Sequence, residues 1–543
     1  MTSERARRLR TIALVRETGR AGVATRVALV VAMGVAAVSC QSTSSRTVAT
    51  GSSAPTVVST STSSVETSES TAPPASANPE PATSSVDVTN PASNPVYPLK
   101  LSADGRYLVD QRDRPWRVQA DAAWLMSAQA TPEQVDEYLA VRAQQGFNSF
   151  YLMAMVHPGG YEVAKDAPRN YRGDPPFATP NDFRTAGASP ESERYWEWID
   201  SIIDKAAQRH MVVMFSYTYL GYQGGDQGWY QQVVNQSSRQ VLFDWGRWLG
   251  QRYKDRANLL WFGLGDYTPE GGSEGSSRTV AIAQGIKAAG ATQLFMAESS
   301  SPDSLPSEAP DFGPIVDMNS FYGYGPSGGG AVYQTADRAW RVNPPKPAWM
   351  EEGTYEFENN TGKFSGQPWD TRRGRYWSVL GGGTAGDGFG SRDVWQWTNI
   401  PASLRSAGAD DSTYAFQLFG TLPWWSLRPS GTDGGLAGSK LVTSGGGQWG
   451  GSDYVTSALT SDHEWLLAYV PVTDQGERSI VVDLAALSAP VRARWFDPTT
   501  GTYTAISNGW EYPNSGTHQF ETAGRHPDGT DDWLLVLDST GRP

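Results

Sequence analysis

Short apolar runs alternate with stretches of helical periodicity from residue 97 to about residue 430, and this alternation restricts the fold more than any single motif does. Candidate strands fall at 116–122, 147–155, 211–217, 259–265, 294–298, 315–320, 347–351 and 386–395. The first seven are continuously apolar, as parallel strands covered on both faces must be. The stretch 131–145 opens Thr131-Pro132-Glu133, an N-cap with proline at the first helical position. Residues 191–209 carry Trp198, Ile199, Ile202 and Ile203 at helical spacing, and 238–253 and 279–288 follow suit. Eight strands alternating with helices over about 300 residues point to an α/β fold, a (β/α)8 TIM barrel, with a doubly wound open sheet as the alternative. The glycine-rich eighth strand is the least regular.

After Pro429 the helical signal stops. Runs at 464–472, 479–484, 491–497, 501–506, 517–523 and 533–537 are short, β-rich and punctuated by turn residues, which predicts a small all-β sandwich domain. The barrel is therefore placed at 96–435 and the sandwich at 445–540.

Seven arginines and two glutamates precede an apolar run of 12 residues, Val27 to Val38. That run is too short to span a bilayer and suits a signal peptide. Ala37-Val38-Ser39-Cys40 resembles the lipobox of bacterial lipoproteins, so residues 1–40 are read as a leader with Cys40 the lipidated residue. Cleavage to an unmodified, secreted chain is the alternative. Residues 41–95 are Ser, Thr, Pro, Ala and Val with few large apolar side chains, a composition that cannot repay the entropy of ordering and predicts a tether. An anchor and a tether place the folded part at the cell membrane, facing the wall or exterior.

Charge and ligand chemistry exclude several functions. The formal net charge is −13, and removing a leader of net +5 leaves about −18, with no basic stripe for nucleic acid. Cys40 is the single cysteine, and the five histidines at 157, 210, 463, 518 and 526 lack ligand spacing, so no metal and no cofactor are expected. A monomer is expected. Twenty-one tryptophans and 23 tyrosines leave aromatic faces for sugar rings beyond what a core consumes.

In such a barrel the active site forms at the C-terminal strand ends, where the βα loops gather. That rule selects Asp121, His157, Tyr217, Asp266, Glu298, Asn319, Glu351 and Glu352. The fourth strand runs through Gly263 and Gly265 straight into Asp266. Lys346-Pro347-Ala348-Trp349-Met350 runs into Glu351-Glu352. Side chains alternate along a strand, so one of these two glutamates is expected at the mouth and the other against an arginine or the helix layer. Two carboxyls on opposite sides of a sugar suffice for glycoside hydrolysis: one protonates the leaving oxygen, the other attacks the anomeric carbon or activates water. The bland reading is a pair of salt-bridged acids. Two G-x-S-x-G matches, at 271–275 and 325–329, and two G-x-G-x-x-G matches are accidents of a chain with 57 glycines.

Several motifs share one order: Gly105-Arg106-Tyr107-Leu108-Val109-Asp110, Asp121-Ala122-Ala123-Trp124, Gln145-Gly146-Phe147-Asn148, Trp261 to Asp266, and Lys346-Pro347 to Glu352 and Tyr355-Glu356. Arg375-Tyr376-Trp377, Phe389-Gly390 and Trp395 continue it. This order resembles the apiosidase-like glycoside hydrolases. The tail, with Trp495-Phe496-Asp497-Pro498-Thr499-Thr500-Gly501 and Asp532-Trp533-Leu534, is similar to the domain labelled collagen-binding that follows their barrel. The resemblance covers about residues 97–540 and implies a TIM barrel with catalytic Asp266 and Glu352. Asp266 would be acid or acid/base and Glu352 nucleophile or base, or the reverse. Asp121, Trp124, Tyr217, Glu298, Tyr322, Glu351 and Tyr355 would contact substrate. Tyr219, Trp229 and Tyr324 are further candidate platforms, each with core packing as the alternative.

Three positions depart from that pattern. Leu264 stands where a second glycine precedes the Asp, Glu298 where a histidine is expected, and Asp387-Gly388-Phe389-Gly390 replaces a more aromatic loop. These departures bear on apiose as the sugar. The expected activity is hydrolysis of a glycosidic, furanosidic bond in a plant or cell-wall polysaccharide. The alternative is a lipid-anchored glycan- or matrix-binding protein with an inactive barrel.

Overall fold

The computed structural model describes residues 94–299, 304–324, 332–358, 366–473 and 476–541. The leader with Cys40, nearly all of the tether, and the motif at 325–329 lie outside them.

Eight parallel strands form one sheet: β1 (Val118–Ala122), β2 (Ser149–Met153), β3 (Val212–Ser216), β4 (Leu259–Gly263), β5 (Phe295–Ala297), β6 (Asn319–Gly323), β7 (Ala348–Gly353) and β8 (Gly386–Phe389). Their order runs β5-β4-β3-β2-β1-β8-β7-β6. Strands β5 and β6 close the barrel: Asp317 N donates to Phe295 O at 2.8 Å, and Phe295 N donates to Asp317 Oδ2 at 2.8 Å. The open-sheet alternative is thereby set aside. Every residue of the strands that end at the candidate acids is buried.

The helices begin where local signals place them. Thr131 caps α1 (Pro132–Gln144) and, with Gln134, completes a reciprocal capping box. Ser189 caps α2 (Pro190–Gln208), and Ser238 caps α3 (Arg239–Tyr253). A cap stabilises by about 1 kcal/mol. Burying Trp198, Ile199, Ile202 and Ile203 of α2 contributes about 1.5–3 kcal/mol each, so packing outweighs capping in holding this helix. Helix α4 (Glu274–Ala288) starts a full turn before the stretch expected at 279. Its N-cap is Ser273, whose Oγ accepts from Ser276 N at 3.0 Å, so the serine of the first G-x-S-x-G match is a cap.

Two strands differ from expectation. The run 315–320 is expected as a strand, but Ile315, Val316 and Met318 are buried as a loop, and pairing with β7 begins at Asn319. The shift moves Asn319 to the start of β6 and Tyr322 to its end. The eighth strand stops at Phe389, and the rest of its expected span turns helical at Arg392–Trp395.

Helices α5 (Val332–Trp340), α6 (Pro368–Gly381) and α7 (Ala407–Gly420) complete the barrel wall on the side facing the C-terminal sheets. All pairings there are antiparallel. Strands β9 (Leu427–Pro429), β11 (Thr456–Thr460), β12 (Trp465–Val470), β14 (Arg492–Asp497), β15 (Thr502–Ala505) and β17 (Trp533–Asp538) form the larger sheet in the order β9-β11-β12-β17-β14-β15. Strands β10 (Val442–Ser444), β13 (Ser479–Asp483) and β16 (Thr517–Glu521) form the smaller. Strand β9 lies within the stretch read as barrel, yet it pairs with β11. One apolar core joins Tyr376, Trp377 and Leu418 of the barrel helices to Leu467, Tyr469 and Leu534 of the larger sheet. Within it Arg372 of α6 grips Asp532 through two hydrogen bonds of 2.8 Å and reaches Asp411 at 2.7 Å.

Candidate active site

The chain leaves β4 through Leu264, Gly265 and Asp266, all at positive φ (66°, 74° and 56°). A Cβ on Gly265 would lie 2.4 Å from the Tyr219 ring, so glycine is what lets these two loops meet. A non-glycine residue in this region costs roughly 1–2 kcal/mol, and such strain is retained where surroundings over-determine it. Here the surroundings include the next strand: Asp266 N donates to Glu298 Oε2 at 3.1 Å.

The carboxyls gather at this end of the barrel. Single oxygens of Asp266, Glu298 and Glu352 all lie within 4.8 Å of one another. Tyr219 OH donates to Asp266 Oδ2 at 2.6 Å, and Tyr322 OH donates to Asp266 Oδ1. Tyr322 OH also stands 3.1 Å from Glu298 Oε1, and Tyr324 OH donates to Glu352 Oε1 at 2.7 Å. Among the described residues no arginine or lysine pairs with these acids; their electrostatic neighbours are other carboxyls and tyrosines.

Burial and mutual repulsion set their protonation. Burial raises Asp266, opposed by the Tyr219 and Tyr322 hydroxyls, which favour the anion. Burial and the Asp266 charge push Glu352 up to about 7, opposed by hydrogen bonds from Glu298 and Tyr324. Glu298 is raised well above the ordinary range, first by burial and then by Glu351, Asp266 and Glu352. The spacing alone would admit a divalent cation, but hydroxyl donors already occupy Asp266 and Glu352, which suits exchange of protons.

Glu351 corrects an expectation. It is 1% exposed and, among the described residues, pairs with no arginine; its carboxyl hydrogen-bonds Ser320 and Glu298 instead. The cause is a bulge: Met350 pairs with Phe321 and Glu352 with Tyr322, so an extra residue interrupts the alternation of side chains. Consecutive glutamates thus both approach the acid cluster. Burial pushes Glu351 well up, and its Oε1 has no hydrogen-bond partner among the described residues.

The other expected contacts divide. Trp124 and Tyr355 do wall the site: Trp124 stacks on Tyr151 at 4.7 Å and its Nε1 donates to Tyr355 OH at 3.0 Å. Tyr322 and Tyr219 act as hydrogen-bond donors to Asp266, and Tyr324 as donor to Glu352, in place of stacking faces. Asp121 is not at the site; it is buried at the end of β1 between Arg142 (2.7 Å) and Tyr138 (2.8 Å) of α1. Asp387 is likewise taken by Arg375 and Arg117, which hold its carboxyl low against the effect of burial. Tyr217 is 2% exposed and packs against Gly263, while Trp229 is fully buried among Phe177, Phe183 and His157. Asn319 accepts from Ser307 N at the opposite end of its strand.

Sequence reasoning passed over Tyr151 and Tyr161. Tyr151 OH donates to the Glu351 carbonyl through the gap left by Gly388, where a Cβ would lie 2.3 Å from that hydroxyl. Tyr161 hydrogen-bonds Tyr219 and feels the charges of Asp266, Glu298 and Glu352. The sole available signal for Tyr151 was a polar group within the apolar run Phe150 to Met153.

A closed parallel barrel that presents clustered carboxyls, ringed by tyrosines, at its C-terminal end is an arrangement suited to glycoside hydrolysis. The chain belongs to the apiosidase-like family, whose description "Apiosidase-like, catalytic domain" matches residues 102–426. Residues 446–538 match a second family, "Putative collagen-binding domain of a collagenase". Among solved structures, a protein described as a glycoside hydrolase is similar at 20% identity and TM-score 0.66, over 82% of this chain and 97% of its own. A glycoside hydrolase family 5 protein from Bacteroides vulgatus is similar at 19% identity and TM-score 0.66, over 82% of this chain and 94% of its own. At that identity the likeness is one of fold. No curated protein matches the chain.

Proposed function

We propose that the protein hydrolyses a furanosidic bond of a plant or cell-wall polysaccharide through Asp266 and Glu352. The supporting observation is the approach of the β4 and β7 carboxyls to within 4.8 Å. Retaining glycosidases hold their carboxyls about 5–5.5 Å apart and inverting ones about 6.5–9.5 Å, and nearest oxygens within 4.8 Å are compatible with the retaining course followed here. In the first step Glu352 attacks the anomeric carbon, the glycosidic C–O bond breaks, and Asp266 gives its proton to the leaving oxygen. In the second, Asp266 takes a proton from water, the water oxygen bonds to the anomeric carbon, and Glu352 leaves. The roles follow the family motif; tyrosine hydroxyls support an anion at both acids, one at Glu352 and two at Asp266.

A polymeric substrate is favoured by two exposed aromatics. Tyr222 (55% exposed) lies on the loop after β3, beside Gln223, whose N–H donates to the Asp266 carbonyl at 2.8 Å. Phe357 (45% exposed) lies on the loop after β7 at φ 65°, next to Glu358, whose charge reaches Glu352. Each candidate acid thus has an exposed ring nearby on a strand-end loop, suited to sugar faces beyond the cleaved bond. The protein would act as an exported lipoprotein held at the membrane through Cys40. Incorporation of a labelled fatty acid, lost in Cys40→Ser, tests that part.

The activity is tested by incubating the protein with furanosides, pectin fragments and arabinogalactan, beside Asp266→Asn and Glu352→Gln. Sugar release by the wild type alone supports the proposal; equal release by either variant rejects its assignment. The collagen-binding-like domain favours a second reading, a tethered glycan- or matrix-binding protein. Retained polymer without cleavage would select it.

A further inference from the structure

Glu298 is 1% exposed and is surrounded by acids. Asp266 faces it from the end of β4, Glu351 and Glu352 from β7, and Tyr322 from β6; Tyr151, Tyr161 and Tyr219 complete the titratable groups that feel its charge. Its Oε2 accepts Asp266 N–H at 3.1 Å, its Oε1 lies 3.1 Å from Tyr322 OH, and its carboxyl also hydrogen-bonds Glu351 and Glu352. That hydroxyl has one proton and stands between two carboxyls. It donates to Asp266 Oδ1. The contact with Glu298 is then a hydrogen bond if the carboxyl is the donor.

We propose that Glu298 is a positioning residue that rests as a neutral carboxylic acid. As a neutral acid it has a donor to offer either Glu352 or Tyr322, which itself donates to Asp266, while its Oε2 holds the Asp266 backbone. This inference rests on the hydrolase reading for its purpose, but its physical content does not. A neutral Glu298 gives the strained turn at Leu264–Asp266 an anchor on β5 and adds no negative charge beside Glu352. An ionised Glu298 would place a further negative charge within 4.8 Å of Asp266 and Glu352, in a buried site with no paired cation among the described residues. A carboxylic acid kept neutral by its site in order to donate a hydrogen bond is an established catalytic device.

The test needs no substrate. The full chain is labelled with carbon-13 at the glutamate side-chain carboxyl and titrated by NMR, beside Glu298→Gln and Tyr322→Phe. A glutamine amide keeps one acceptor and one donor, so it replaces a neutral acid without changing the charge. The expected spectrum has a protonated carboxyl signal at pH 7 that is absent from Glu298→Gln and displaced in Tyr322→Phe, with the Glu352 midpoint unchanged in Glu298→Gln. The proposal is overturned if the signal lost in Glu298→Gln titrates as an anion at pH 7, or if that variant lowers the Glu352 midpoint by about one pH unit or more. Should Glu298→Gln fail to fold, the Tyr322→Phe displacement of a protonated signal decides alone. Inactivity of the wild type on every glycan, with this titration as expected, would reject the hydrolase reading and leave the neutral Glu298 standing.

Discussion

The Tyr324 hydroxyl donates to Glu352 Oε1 at 2.7 Å, so a negative charge on this carboxyl is supported by a side chain just past the end of the neighbouring strand. Tyr324→Phe removes a donor that lowers the Glu352 pKa. A hydrogen bond to a charged group contributes about 1.5–3 kcal/mol, or roughly one to two pH units. The acid limb of kcat/KM, expected near pH 7 in the wild type, should move upward by about that amount. An unmoved limb would remove Glu352 as the group that must be ionised.

Asp266→Asn and Glu352→Gln should each lower sugar release by about a hundred-fold or more, since each abolishes a proton transfer or the nucleophile. Azide separates the roles. It should restore turnover to Glu352→Gly with inverted product, and to Asp266→Gly with retained product. The opposite pairing would exchange the acid and the nucleophile.

Stability should oppose activity at Glu352. Its folded pKa of about 7 lies above its ordinary 4.5. For a carboxyl raised in this way, stability is fully present below the ordinary value and is lost as pH rises through 7. Glu352→Gln should therefore be more stable than wild type at pH 8, by on the order of 1–3 kcal/mol, with no gain at pH 4. Thermal unfolding at the two pH values measures the difference. A variant less stable than wild type at pH 8 would contradict it.

Arg372→Ala leaves Asp532 and Asp411 buried without their cation. Breaking a buried pair by removing one partner costs about 3–5 kcal/mol. Chemical denaturation should show that loss, together with faster proteolysis of the C-terminal sheets, because the pair joins them to α6.

Tyr222→Ala and Phe357→Ala should raise KM for a polymeric glycan about ten-fold or more while leaving kcat on a short chromogenic glycoside unchanged. Equal effects on both substrates would mean that these rings support the loops and do not bind distant sugars.

The barrel and its helix starts were legible because their signals are local. Continuous apolar runs mark β1 to β5 and β7, and Thr131-Pro132 marks α1. Strand-end logic also brought Asp266, Glu298 and Glu352 into one short list. It failed at Asp121, which obeys the same rule but meets Arg142 one helix away, and at Asn319, because an apolar loop and an apolar strand are alike in composition.

The pattern of apolar and polar residues, acting over a few neighbours at a time, determined that a parallel barrel would form and which acids would stand near its mouth. Tertiary structure alone decided their company. The bulge at Met350–Glu352 turned both glutamates toward the cluster, and the tyrosine hydroxyls came from β6 and the loop after β3. Protonation depends on those distances and on the exclusion of water, and both arise only when strands far apart in the chain close into a ring.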